Sequence, residues 1–375
     1  MVDLLSVHFE ESGTRVRRVQ GSGVRRETFT VISSDGRVVE PIDDYLAACT
    51  DREHSPNTIR ARAFDLRAWL VFLDLLGVGL LDASPEHVDQ FAGWLRRPVQ
   101  PGRLRTVEEA DPPAREPSTV NRALDSVCMF YEFLARRGVG LSAHLVRYRP
   151  ARSGDYGGFL AGIASAPVKE RKTRLKEVTR RPATLTDDEV QAILDACDRL
   201  RDRLLIALMF ETGCRIGQAL GLRHEDINTD RSAITLRPRE NNVNRARGKS
   251  REAKQIPVRR TLLDLYTDYL FAEYGELGSD YVFVSLWNGP YGSPMTYWGV
   301  MSLVKRLRKR TGIDFHPHVF RHTHATALLR AGVRLEVAAE LLTHSSTRTT
   351  ADIYAHLDTD DLVQELERVG FWEAR

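Results

Sequence analysis

The stretch His316-Pro-His-Val-Phe-Arg-His-Thr-His-Ala-Thr-Ala-Leu-Leu-Arg-Ala-Gly332 is the most informative in this chain. Pro317 sits where a helix can begin, because its missing N–H would be unpaired there anyway and its φ is already helical. A helix is therefore predicted from Pro317 to Ala331. His318 falls in its first turn, where the positive end of the helix dipole disfavours a charged imidazole. Arg321 is three residues on and projects from the same face. A neutral base beside a guanidinium suits a reaction at phosphate: the guanidinium holds two oxygens while the imidazole moves a proton. Alone, such a pair is more often an ordinary surface feature.

A rival reading attaches to the same stretch. His316, His318, His322 and His324 crowd together, and His318 with His322 has the i, i+4 spacing of a helical metal site. No acidic residue on this helix completes such a site, and Arg321 would place a positive charge among the ligands. No metal is expected here.

Three further clusters bear on the chemistry. In Glu211-Thr-Gly-Cys-Arg215-Ile-Gly-Gln218-Ala-Leu-Gly-Leu222, Gly213 ends a helix and Arg215 sits at the restart. Ile216, Ala219, Leu220 and Leu222 would bury the turn and hold Arg215 rigidly, either over a cleft or in an ion pair. Gly248-Lys249-Ser250 precedes a strand ending Gln255-Ile256-Pro257-Val258, so Lys249 occupies a hairpin tip from which it can reach a site. The last cluster, Leu341 to His356, carries His344 and, ten residues later, Tyr354. Taken alone, Tyr354 reads as a half-buried packing residue.

The chain is 375 residues long, enough for two domains of ordinary size. Its 42% hydrophobic and 28% charged residues describe a globular protein rather than a disordered one. A net charge of +3 does not by itself announce nucleic acid; the clustering of Arg and Lys in 169–181 and 237–260 says more. Cys49, Cys128, Cys197 and Cys214 are far apart and form no C-x-x-C pair, against a zinc knuckle or disulfide framework. The most apolar stretch, Leu66 to Leu81, is too short and too interrupted to span a bilayer, and a cytoplasmic location is expected.

Four segments follow along the chain. Residues 1–35 are polar, glycine-punctuated and arginine-rich, forming either a short sheet or a flexible arm. Residues 40–140 read as about four helices, near 41–49, 58–76, 87–95 and 118–137, with no convincing strand. Residues 142–183 read as a basic linker. From 184 to 375 the pattern is helical with one small antiparallel sheet built from Ala233–Leu236 and Lys254–Val258. Thr186 to Glu189 forms a capping box at its start. Thr58, Arg60, Arg62, Asn121 and Arg122 lie at helix beginnings with few apolar neighbours, which suits contact with phosphates.

Together, the order Arg, Lys, His-x-x-Arg, His, Tyr and its flanking residues resemble the tyrosine recombinase family, also called phage-type integrases. The resemblance covers roughly 40–360 and is strongest in ETGCRIGQALGLRHEDI, HPHVFRHTHATALLRAG and LLTHSSTRTTADIYAH. The spelling around Cys214 and Phe320 is similar to transposase A-type recombinases of site-specific transposons. The implied fold is mainly α: a helical, DNA-clasping core-binding domain, then a mixed α+β catalytic domain.

The resemblance also implies roles. Tyr354 would attack the scissile phosphate, leaving a 3′-phosphotyrosine and a free 5′-hydroxyl. Arg215 and Arg321 would clamp the non-bridging oxygens, His318 would assist proton transfer at the tyrosine, and His344 would donate to a phosphate oxygen. Lys249, with Lys254 as the alternative, would protonate the leaving oxygen. Gln218 stands where many relatives carry Glu or Asp, which puts the support of the neighbouring Arg or His in question. The covalent intermediate conserves bond energy, so no cofactor is required.

The implied partner is double-stranded DNA bearing a specific recombination site, together with any accessory recombination proteins. The apolar tail after Tyr354 (Leu362, Val363, Leu366, Val369, Phe371, Trp372) is expected to dock on a neighbouring subunit of a tetramer. The implied location is the bacterial cytoplasm, at the nucleoid. The same cleavage chemistry would also serve a type IB topoisomerase or hairpin telomere resolvase. A DNA-binding protein that has lost activity is disfavoured, because every catalytic position holds a competent side chain.

Overall fold

The computed structural model describes residues 12–20, 27–96, 115–149, 168–177, 183–239, 241–248, 252–287 and 289–342. The chain divides into two compact units, Met1–Thr179 and Arg180–Arg375.

In the first unit, β1 (Arg15–Gln20) pairs antiparallel with β2 (Glu27–Ile32), Arg15 opposite Ile32. Phe29 and Val31 share one face of β2 and join the apolar core, with Thr30 between them also buried. Of the two forms open to the N-terminal segment, the sheet is realised at Arg15–Gln20 and Glu27–Ile32. Four helices follow: α1 (Glu40–Asp51), α2 (Pro56–Leu76), α3 (Pro85–Arg96) and α4 (Pro117–Ala135). The start of α2 is set locally, by Pro56 in its first turn and by Ser55 Oγ accepting from Thr58 N at 3.2 Å. Gly77, at φ +68°, ends it in a conformation that disfavours side chains. The core centres on Trp69, whose Nε1–H donates to Tyr131 Oη at 3.0 Å; that hydroxyl donates to Leu80 O at 2.7 Å. Both polar tips are thereby satisfied inside an apolar cluster.

The segment read as a basic linker is built differently. A short α5 (Ser142–Leu145) leads into β3 (Val146–Arg149), which pairs antiparallel with β4 (Val168–Arg171). The basic residues of β4 find acids on α4: Arg171 Nε lies 2.5 Å from Asp125 and Lys169 Nζ 2.6 Å from Glu132. Asp125 and Glu132 are seven residues apart and share a helix face. Charge that reads as a solvated run in one dimension is a complementary surface in three.

The second unit opens with α6 (Asp187–Asp195). Its capping box is complete: Thr186 Oγ1 accepts from Glu189 N at 3.2 Å and Glu189 Oε2 accepts from Thr186 N at 2.9 Å. Then come α7 (Leu200–Thr212), α8 (Ile216–Leu220) and a 3-10 turn at His224–Asp226. The sheet has three antiparallel strands, ordered β5 (Ile227–Asn228), β6 (Ala233–Leu236), β7 (Lys254–Pro257). The chain continues through α9 (Arg260–Tyr269), a π turn (Leu270–Tyr274), α10 (Tyr297–Thr311), α11 (Pro317–Arg330) and α12 (Leu335–Leu341).

Helix α7 is the central rod, packed on α9 and α11, with Leu204, Leu205, Leu208 and Met209 buried. Its N-terminus is capped from afar. Glu273 Oε1 and Oε2 accept from the backbone N–H groups of Leu200 and Arg201, both at 3.0 Å, satisfying two donors that the helix itself cannot. The architecture is mainly α with small antiparallel sheets, as the sequence leads one to expect. Among the described residues no helix is long and apolar enough to cross a membrane. The apolar tail after Tyr354 lies outside the described residues.

Candidate active site

Helix α11 begins as its proline dictates, with His316 at the extended N-cap and Pro317 in the first turn. Four-residue periodicity then sorts its side chains. Val319, Phe320 and Thr323 face the core, and His318 is accessible. Arg321, one turn further on, is only 7% exposed. A buried guanidinium needs acceptors, and two main-chain carbonyls supply them. Nη1 donates to Gly213 O at 2.7 Å and Nη2 to Leu342 O. Arg321 therefore joins three elements: the end of α7, its own helix, and the residue that closes α12.

Gly213 makes this junction possible. Its φ of +59° ends α7 in the left-handed region. A Cβ there would lie 2.9 Å from both His324 Cδ2 and Leu342 Cδ2. The chain then turns into α8 with Arg215 at the N-cap, half-buried. Gln218 Oε1 accepts from the Arg215 backbone N–H at 2.9 Å. This sharpens the question raised by Gln218: here its amide oxygen orients the turn that carries Arg215, and hydrogen bonding alone suffices for that.

The electrostatics follow from two guanidiniums in one partly desolvated place. Arg321 is pushed down to about 9, first by burial and then by the charge of Arg215. An arginine stays protonated at ordinary pH, so this depression measures how costly its charge is here. Among the described residues no carboxylate pairs with Arg321. An anion would relieve both the desolvation and the repulsion. His318 is held below the usual histidine range, first by burial, then by His316, His322, Arg321 and Arg215. It is thus a neutral base facing the same charge cluster. The His316 and His318 rings meet edge to face at 6.3 Å. His324 is pushed down to about 4 by burial and then by Arg321 and Arg259. Among the described residues no group of three or more His, Cys, Asp or Glu side chains is placed to hold a metal ion.

Arg215, Gln218, His318 and Arg321 are thus brought together. Lys249, His344 and Tyr354, and the tail proposed for subunit docking, lie outside the described residues. Lys254 is described: its Nζ lies 2.6 Å from Glu340 on α12.

In the first unit the residues expected to touch phosphates divide. Asn121 is 3% exposed, its Nδ2 donating to Leu175 O at 2.9 Å and Glu177 Oε1 at 2.6 Å, its Oδ1 accepting from Leu175 N at 2.9 Å. With both donors used internally, Asn121 clamps the extension of strand β4. Arg122 Nη1 lies 2.7 Å from Asp65, a buried carboxylate that also accepts from Ser126 at 2.8 Å. Arg62 Nη1 reaches His54 Nδ1 at 2.8 Å and Cys49 Sγ at 3.0 Å. Thr58 belongs to the cap of α2, its Oγ1 2.8 Å from Ser55 Oγ. Arg60 remains on the surface, over the exposed Phe64 ring at 5.4 Å, with Arg67 over the same ring at 5.3 Å. Phe64 and Arg67 were not singled out from sequence, although their spacing from Arg60 (i+4, i+7) was the available signal.

Comparison with known proteins gives these features a context. Residues 183–361 match the phage integrase family. Transposase A from transposon Tn554 of Staphylococcus aureus is 36% identical over 355 residues, spanning 94% of this chain and 97% of the relative. Tyrosine recombinase XerA of Pyrococcus horikoshii is 33% identical over 194 residues, 51% of this chain and 63% of that protein. The solved structure of the Tn1549 transposon integrase with transposon right end DNA aligns with a TM-score of 0.60 at 18% identity, covering 88% of this chain and 99% of that one. The second unit carries the catalytic fold of that group, and the similarity to transposase A runs through both units. The chain belongs to the phage integrase family of tyrosine recombinases, in the company of the transposase A proteins.

Proposed function

We propose that this protein cuts and rejoins double-stranded DNA at a specific site, moving a mobile element by integration, excision or transposition, through a covalent bond to Tyr354. The observation that carries this reading is the convergence of Arg215, Arg321 and a neutral His318 from two separate segments of chain. Tyr354 Oη attacks the phosphorus and its proton passes to His318. The bond from phosphorus to the 5′-oxygen breaks, and that oxygen takes a proton from Lys249. Negative charge gathering on the non-bridging oxygens meets Arg215, Arg321 and His344. Attack by a 5′-hydroxyl from another strand reverses these steps and reseals the backbone.

Two structural facts favour particular assignments. Lys254 is engaged with Glu340, which leaves Lys249 the better proton donor. Gln218 supports Arg215 through its backbone, so the absence of a carboxylate there does not remove the clamp. Arg60 and Arg67 join Arg122 and Arg62 as phosphate contacts in the first unit, with Thr58 beside them. On this reading the working assembly is a homo-tetramer on two duplexes, held through residues 360–375 and served by accessory recombination proteins at the bacterial nucleoid.

The test is a nicked suicide substrate incubated with the protein in EDTA. A covalent protein–DNA adduct is expected with the wild type and none with Tyr354→Phe. An adduct that persists in that variant, or activity that requires a divalent metal, refutes the mechanism.

A further inference from the structure

Helix α8 is crossed at van der Waals contact by the loop that precedes Lys249. A Cβ on Gly217 would lie 2.2 Å from Arg247 O and 3.2 Å from Arg247 N, both main-chain atoms. Gly217 lacks a left-handed φ, so its role is not conformational freedom; it is the only residue small enough for this approach. One residue on, a Cβ at Gly248 would meet Gln218 Cγ at 3.2 Å. The loop is therefore seated on the turn whose N-cap is Arg215.

Polar side chains fasten it there. Asn244 Nδ2 donates to Leu220 O, at the end of α8, at 2.9 Å and to Met295 O at 2.8 Å. Its Oδ1 accepts from Ala246 N at 3.1 Å. Asn242 Nδ2 donates to Ala246 O at 2.8 Å, and its Oδ1 accepts from Tyr281 Oη at 3.2 Å. Tyr281 Oη in turn accepts from Val243 N at 3.1 Å. Arg245 takes a φ of +59°, a conformation a non-glycine residue holds only when its surroundings impose it. A connection between two strands would ordinarily be loose; this one has both ends of Asn244 and both ends of Asn242 bonded.

We propose that Gly217 and Asn244 are positioning residues for leaving-group protonation: they seat on α8 the 244–248 loop that leads directly into Lys249. Consecutive Cα atoms are ~3.8 Å apart, so seating Gly248 constrains where Lys249 begins. The inference rests on the assignment of Lys249 as proton donor, and it names what holds the chain leading into that residue. It also separates two functions of one short helix. The N-cap end presents Arg215 to the phosphate, while the glycine face carries the loop of the acid.

A substrate with sulfur in place of the 5′-bridging oxygen tests this. Cleavage of the oxygen substrate forms the Tyr354 Oη–P bond, breaks P–O5′ and needs a proton on the departing oxygen. With sulfur a thiolate departs unprotonated, because thiols ionise near pH ~8.5. Lys249→Ala is expected to lose ~10²–10⁴-fold on oxygen, the usual contribution of general acid catalysis, and to recover on sulfur. Gly217→Ala and Asn244→Ala are expected to lose at least ~10-fold on oxygen, as small misplacements of a catalytic group do, and also to recover on sulfur. Arg215→Ala, which weakens charge stabilisation, is expected to remain slow on both.

If Lys249→Ala recovers on sulfur but Gly217→Ala and Asn244→Ala stay slow on both, those residues act through Arg215 or the fold, and the inference is overturned. Wild-type rates for both variants on oxygen overturn it as well. Failure of Lys249→Ala to recover removes the assignment of Lys249 itself, a distinct result from the other two. Gly217→Ala guards against a mere folding defect, since alanine favours helix and the collision is confined to the loop.

Discussion

Protonating His324 should destabilise the second unit by an amount the structure allows one to compute. The ring lies against Gly213, and burial, then Arg321 and Arg259, push it from an ordinary 6.5 down to about 4. Between those two values the unfolded chain binds a proton that the native one refuses, so stability is complete above pH 6.5 and is lost as pH falls. At 1.36 kcal/mol per unit, the limit well below pH 4 is about 3 kcal/mol, and about 2 kcal/mol is already lost at pH 5. For a unit of this size that corresponds to a fall of about 4–8 °C in the unfolding midpoint. The assay is calorimetric unfolding at pH 7.5 and pH 5 of the wild type and of His324→Gln, whose amide does not titrate. The variant will be less stable at neutral pH through altered packing, but its midpoint should fall less between the two pH values. Equal falls in the two proteins would refute the argument that His324 is held neutral.

Three other outcomes follow from the same kind of reasoning. Gly213→Ala forces a side chain into the left-handed region and against His324 and Leu342, which should cost about 2–3 kcal/mol in denaturant unfolding and at least ~10-fold in covalent adduct formation. Arg122→Met removes the ion pair of the buried Asp65 and leaves Ser126 as its hydrogen-bond donor, which should destabilise the first unit by about 2–3 kcal/mol. Because burial already raises Asp65, this loss should shrink as the pH is lowered and the carboxyl protonates, a trend that urea titrations at pH 4 and 8 would reveal. In DNA binding, Arg60→Ala should reduce the slope of affinity against salt concentration by about one unit, whereas Asn121→Ala should leave that slope unchanged. An unchanged slope for Arg60→Ala would remove it from the interface.

What could be read from the sequence was local. The starts of α2, α6 and α11 follow from Ser55-Pro56, Thr186 with Glu189, and Pro317, because a cap is a bargain among residues three or four apart. The left-handed stop at Gly213 and the apolar rhythm of α7 belong to the same class. Arg215, His318 and Arg321 were visible as motifs because their order and flanking residues resemble those of the family, whatever the distances between them.

Only the tertiary structure decided which polar groups were already engaged. Asn121 and Lys254 have the same side chains whether they face DNA or a neighbour, and their partners Leu175 and Glu340 are 54 and 86 residues away. The β3–β4 hairpin hid in the apparent linker for the same reason, since its acids lie on α4. Gly217 read as one glycine among many until the Arg247 backbone was found against it. Propensities and caps are settled within a turn of chain. Pairing, burial and close approach are settled by whatever the fold brings across from elsewhere.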